Sequence, residues 1–324
     1  MIRVSATSSP WLAQSVVAEC RFVVDESSFL IGSLDDIDAE RLFVSLNEQL
    51  SLCRERSEIV GIISDFDQVL CAPGTALFEL LLSTDRLTRD TRLLAYGLLD
   101  KCVRLDENAE FVIDPAVVVS GDSFESFGLA LAAEAFGKRS AVGVLALMPR
   151  AGPGEVQVVH EEAVTSVVIV VDARTRELFY RAAISIDDVG EDVFFQRVNF
   201  AFPSLRFAES LSFRRFDGAY RNLRDLVVVH LGALNDRFAS AFATYAGMPD
   251  QVAAQVGIDL SPEGNTRQSP RLMSMRNVIF QGVVYRCEWH SKLEPSRNRI
   301  HFHPGDSGTK GCVLIGIFVD HLPT

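Results

Sequence analysis

The chain has 324 residues, 48% of them hydrophobic, with a formal net charge of −12. That length supports two or three domains with sizeable cores. The acidic balance argues against general binding to nucleic acid over the whole surface, since phosphate contacts need Lys and Arg.

In chain order, Ser15 to Val24 predicts a strand and Asp36 to Arg56 a helix, because Leu42, Leu46, Leu50 and Cys53 recur at three- and four-residue spacing. Ile59 to Ile63 predicts a short buried strand, and Asp85 to Val103 a second helix with Leu87, Leu94 and Leu98 on one stripe. Asp122 to Glu125 reads as a capping-box opening of a third helix closed by Gly137, and Ala141 to Leu147 as a buried strand. Arg150 to Gly154 is the best boundary signal in the first half. Strands follow at Val156–Val159 and Val167–Val171, and Asp172 to Thr175 predicts the turn of a hairpin whose second strand is Leu178–Ile186. Asp217 to Tyr245 reads as mostly helical, with Leu223, Leu226, Val227, His230, Leu234 and Phe238 on one stripe. Ser261 to Pro270 reads as a polar linker, with β structure after it.

The expected fold is therefore α+β. An α/β domain spans 1–150, a mixed hairpin and helical region 153–260, and a small antiparallel β module 271–324. The six cysteines are scattered with no C-x-x-C pair, which fits reduced, buried thiols. No apolar run reaches the roughly 18 residues of a membrane span, and no signal-peptide pattern opens the chain, so a cytoplasmic protein without membrane association is expected.

The chemical signal concentrates at the end. Four of the six histidines fall in the last thirty-five residues. From Ser261 onward eight Lys and Arg face five Asp and Glu, so this is a basic region on an acidic body. Side chains alternate along a strand, so Glu288, His290 and Lys292 share one face of one run and Arg299, His301 and His303 one face of the next. With a turn at Leu293–Asn298, Lys292 would pair with Arg299, His290 with His301, and Glu288 with His303. All six would then lie on one face, with Trp289, Ile300 and Phe302 anchoring the other. Cys312–Val319 would pair beside them. Such a set can cleave RNA without metal, with imidazole or carboxylate as base and acid and Lys292 and Arg299 holding charge on the phosphorane. Which group is acid and which base stays open.

Lys292-Leu293, a short turn, Arg299-Ile300-His301-Phe302, a second turn and an apolar strand ending at His321-Leu322 resemble the C-terminal sheet of RelE/HigB-type toxin ribonucleases, which are similar to the barnase-like fold. The resemblance covers residues 271–324. It implies an endoribonuclease effector of toxin or phage-defence type, with RNA and a protein as partners and Lys292 and Arg299 at the basic positions. Two alternatives stand beside it. One is a non-enzymatic subunit of a multi-protein assembly that uses the basic hairpin for docking or nucleic-acid contact. The other is a metal-dependent nuclease or hydrolase with zinc on His301, His303 and His290.

Weaker signals read as structure. Gly305-Asp306-Ser307-Gly308 copies a trypsin-like nucleophile motif but lacks its context and predicts a turn. Ser64-Asp65-Phe66-Asp67 is similar to the first motif of haloacid-dehalogenase-type phosphatases, but Gln68-Val69 replaces Gly-Thr. Val23-Val24-Asp25-Glu26-Ser27 resembles the start of PIN-type nucleases, without diagnostic spacing of the later acids. His230 predicts a hydrogen-bonded core residue, and His160 a strand end.

Overall fold

The computed structural model describes residues 20–32, 34–83, 86–105 and 113–323. The fold is α+β, and the chain divides into two compact units at Asp187/Asp188. The first unit is built on an eight-stranded sheet. Its strands are β1 (Phe22–Val24), β2 (Val60–Ile62), β5 (Val103–Arg104), β6 (Ala116–Val119), β7 (Asp122–Glu125), β8 (Gly143–Leu145), β9 (Gly154–His160) and β10 (Ala163–Val170), in the order β5-β2-β1-β8-β10-β9-β6-β7. Neighbours from β5 to β10 run parallel and the remaining pairs antiparallel. A separate hairpin joins β3 (Leu70–Ala72) and β4 (Thr75–Ala76). The parallel strands β1, β2 and β8 are buried at every position, as expected of strands covered on both faces.

Several predicted elements form: the helix Asp36–Glu55 and the strands β1, β2 and β8. The first part of the expected opening strand, Ser15 to Glu19, lies outside the described residues. Three expectations change, each for a local reason. Asp122–Glu125 is a strand rather than a helix start, because Ser120 and Gly121 take positive φ values of 53° and 90° and turn β6 back on β7. The helix begins one turn later, at Phe127–Gly137, capped by Ser126, whose Oγ accepts from Leu129 N. Second, Leu178–Ile186 belongs to a helix, Ala173–Ile186. Asp172 and Thr175 form a capping box there, and Phe179, Tyr180, Ala183 and Ile184 make its buried stripe. Asp and Thr suit a turn and a helix cap equally, so the residues called a hairpin turn start the helix instead. Third, the boundary expected at Arg150–Gly154 falls inside this unit, because Gly154 pairs with Ile169 and continues the sheet. The second helix is shorter than expected, Arg89–Leu99, and leaves Leu94 49% exposed.

Asp25, just after β1, accepts hydrogen bonds from Ser27 N, Ser27 Oγ and Ser126 Oγ, so it ties the strand end to the cap of the helix Phe127–Gly137. Gly128 makes this approach possible, since a Cβ there would lie 2.5 Å from Val24 O. Asp65 and Asp67 sit at a short 3-10 turn after β2, while Asp187 is held by Arg21 at 2.8 Å and caps a helix. Thus no acid cluster of phosphatase type is assembled from them among the described residues.

The second unit holds a five-stranded sheet, β11-β17-β16-β15-β12, from β11 (Leu205–Phe207), β12 (Leu260–Pro262), β15 (Trp289–Lys292), β16 (Arg299–His303) and β17 (Val313–Val319). A second hairpin pairs β13 (Asn277–Phe280) with β14 (Val283–Arg286). The long helical stretch appears as Tyr220–Ala233, a π-turn Leu234–Phe238 and Ala239–Thr244. One face of the sheet packs on phenylalanines. Phe318 meets Phe195, Phe213 and Phe216, and Phe238 meets Trp289 and Phe302. The other face is covered by the β13–β14 hairpin, whose Val278, Tyr285 and Cys287 pack on Leu314, Ile317 and Val319. Gly316 admits that cover, because a Cβ there would stand 2.2 Å from Cys287 Sγ.

Burial, then the neighbouring Asp25, raise the Glu26 carboxyl to about 7, although Phe127 N and Gly128 N donate to it. An acid whose folded value lies above its unfolded one is stabilising while protonated, so this contribution declines as pH rises from about 4.5 to about 7. Hydrogen-exchange protection of the β1 amides should fall over that window, and Glu26→Gln should flatten the fall. An equal slope in the variant would show that Glu26 is not its source.

Candidate metal and acid-base centre

The C-terminal hairpin forms in the register expected from the sequence: His290 pairs with His301 and Lys292 with Arg299. β17 pairs on the far side of β16, with a register shift at His301/Phe302. Trp289, Ile300 and Phe302 are buried on the phenylalanine side. The polar face is not an open cleft. His301 is 1% exposed, with Glu263 beside it and the β13–β14 hairpin packed on Leu314, Ile317 and Val319 of the adjoining strand.

Of the six expected residues, the structure brings two together. The rings of His290 and His301 are 5.3 Å apart. Three of the others have separate engagements. Glu288 lies before β15, outside the pairing with His303, and meets Arg267 at 3.4 Å and Arg286 at 3.9 Å. Lys292 is bound to Asp259 at 3.1 Å. Arg299 keeps its backbone place between Lys292 and Val319, and its charge still bears on His301. His303 accepts a hydrogen bond from Gly305 N through Nδ1 and packs edge-on against Tyr285. The alternative zinc set His301, His303 and His290 is therefore not the one assembled.

Two residues outside the expected set complete the centre. Glu263 follows β12, and its Oε1 lies 3.5 Å from His290 Nδ1 and 3.7 Å from His301 Nδ1. Arg276, 1% exposed, places Nε 2.7 Å from the same oxygen and donates from its other nitrogens to Leu272 O and Pro323 O. Glu263, His290 and His301 each offer a ligand atom, all within 4.8 Å of one another. Sequence reasoning placed Glu263 in a linker because Pro262, Gly264 and Pro270 surround it. Yet β12 is an edge strand, where a proline costs no ladder bond on its open side. The useful signal was Leu260, an apolar residue opening a short run that pairs Ser261 with His290.

Burial alone would raise the Glu263 carboxyl. The polar approach of His290 and Arg276, with the Arg276 charge, outweighs it and brings the group to about 2. Burial, with the neighbouring His290, Arg276 and Arg299, pushes His301 down to about 3 against the pull of Glu263. At neutral pH the centre thus holds a carboxylate and a neutral His301 beside a guanidinium. Nδ1 of His290 and both ring nitrogens of His301 are buried without a hydrogen-bond partner. His290 Nε2 reaches Ser261 Oγ at 3.4 Å.

The remaining histidines and motifs are structural. His230 bonds Ser291 Oγ in the core, and His160 at the end of β9 reaches Asp114 O at 2.9 Å. Gly305–Gly308 opens a turn in which Asp306 and Thr309 bond each other's backbone N–H groups. Burial raises the Cys53, Cys71, Cys102 and Cys287 thiols to about 11 or 12, so they act as small apolar groups. No helix among the described residues is long and apolar enough to cross a membrane. No family model, curated protein or solved structure matches the chain.

Replacing one member of a buried ion pair strands the other, at a cost of about 3–5 kcal/mol. Arg276→Met should therefore destabilise the second unit by about that much, and Arg276→Met with Glu263→Met should recover most of it. Urea unfolding followed by hydrogen exchange at β15 and β16 measures both. A double variant no more stable than the single one would deny that the pair is coupled.

Proposed function

We propose that the second unit cleaves phosphodiester bonds in RNA at the centre formed by Glu263, His290 and His301, with Arg276 beside it. The reading is carried by one observation: a carboxylate and two imidazoles converge within 4.8 Å. They do so in a net-basic stretch of an acidic chain. These groups can take the proton of an attacking hydroxyl or water as its oxygen bonds to phosphorus. The bond to the leaving oxygen then breaks, and that oxygen receives a proton. The buried Arg276 guanidinium keeps the Glu263 carboxylate ionised and in place for this proton transfer. His290, with 12% of its side chain exposed, is the group a substrate meets first. Glu263 and His301 stand behind it. The burial of His301 weighs against the simpler scheme in which six side chains on an open sheet face act directly on RNA.

Glu263→Gln and His290→Ala should each lower RNA cleavage by the full chain about 100-fold or more. His303→Ala and Lys292→Ala should change it by less than about threefold, since these residues are engaged elsewhere. Undiminished cleavage in the first two variants, or no cleavage by the natural chain, would sink the proposal.

A second reading, a protein-docking unit, is favoured by one feature. Ile279 and Val284 pair across the β13–β14 hairpin and are 64% and 62% exposed. Ile279→Asp with Val284→Asp should then abolish self- or partner association in sedimentation while leaving RNA cleavage intact. Association unchanged by that pair would remove this reading.

A further inference from the structure

The unpartnered nitrogens of the centre are the least explained polar atoms in the second unit. A buried donor or acceptor without a partner costs about 1–3 kcal/mol, and such atoms call for an explanation. His290 contributes one and His301 two, beside an ionised carboxylate. The spacing indicates what could satisfy them. Two ligand atoms about 2.0–2.2 Å from a tetrahedral ion stand roughly 3.3–3.6 Å apart. Glu263 Oε1 is 3.5 Å from His290 Nδ1 and 3.7 Å from His301 Nδ1. These separations are too long for good hydrogen bonds and close to the edges of a coordination tetrahedron.

We propose that Glu263, His290 and His301 bind one divalent transition-metal ion of the zinc class, with Glu263 Oε1 and the Nδ1 atoms of both histidines as ligands. Two imidazoles and a carboxylate suit zinc, cobalt or iron(II) and do not suit calcium or magnesium, which take oxygen ligands. Ligation through Nδ1 leaves His290 Nε2 for Ser261 Oγ, the second contact that fixes the orientation of a ligating imidazole. Arg276 approaches the ligating oxygen from the protein side and holds the carboxylate in place. It also neutralises the single negative charge among the ligands. The ion's own charge is therefore left for a fourth, anionic ligand: hydroxide or a phosphoryl oxygen. This assignment deepens the phosphodiesterase reading, but binding of the ion does not require cleavage.

Cobalt(II) titration of the full chain, stripped with chelator, tests it through the visible absorption of tetrahedral cobalt, with zinc stoichiometry from calorimetry. One ion per chain is expected. His301→Ala and Glu263→Ala should weaken binding at least about 100-fold, and His303→Ala should leave it within about threefold. His301→Cys supplies another ligand and should restore binding with a sulfur-to-cobalt band, which a variant that had merely unfolded would not show. Absence of a cobalt spectrum in the natural chain, or an unchanged one in His301→Ala, overturns the inference. Stoichiometric metal without RNA cleavage would leave this site standing and remove the phosphodiesterase reading. RNA cleavage by a chain that binds no cobalt or zinc would do the reverse.

Discussion

The second unit depends on how one carboxylate is kept ionised in the protein interior. Glu263 is 5% exposed, where an isolated charge would be expelled or protonated. Arg276 answers that cost with a guanidinium that is itself almost fully buried and anchored to two backbone carbonyls. The pair draws the chain around residue 263, the turn at 276 and the C-terminal Pro323 toward one point. Histidines 290 and 301 are brought to the same point by the ladder of β15 and β16. The centre thus consists of an ion pair fixed by loops and an imidazole pair fixed by a sheet.

The same arrangement explains why the polar face is closed. A sheet with an apolar side and a charged side ordinarily leaves the charged side in water. Here the apolar side meets a cluster of phenylalanines, and the other side carries Leu314, Ile317 and Val319 next to the histidines. Those aliphatic residues need cover, which the β13–β14 hairpin provides. Gly316 gives it room. His301 is sealed in as a consequence, and its lowered pKa and unsatisfied nitrogens follow from that sealing.

Much of the candidate site was legible where the physics is local. A six-residue turn between two alternating runs fixes the pairing of His290 with His301, since a slip of one residue would turn Trp289, Ile300 and Phe302 out of the core. Elements read from long apolar stripes, such as Asp36–Glu55 and the stretch from Tyr220, also form. Errors fall where one residue type serves two local structures. Asp172 and Thr175 cap a helix instead of turning a hairpin, and Pro262 lies in an edge strand instead of a linker. Glu263 and Arg276 were missed because each reaches the centre from far along the chain, and neither has a pattern of its own.

By itself the sequence determined the α+β class, the alternation of the terminal strands and the meeting of two imidazoles, because strand period and turn length act over a few residues. Only the tertiary structure decided which charges join them, that Lys292, Glu288 and His303 turn to other partners, and that the face is covered. Those outcomes depend on which distant groups can share a dry interior at acceptable electrostatic cost. That balance is set by packing between remote segments and leaves no local mark in the order of residues.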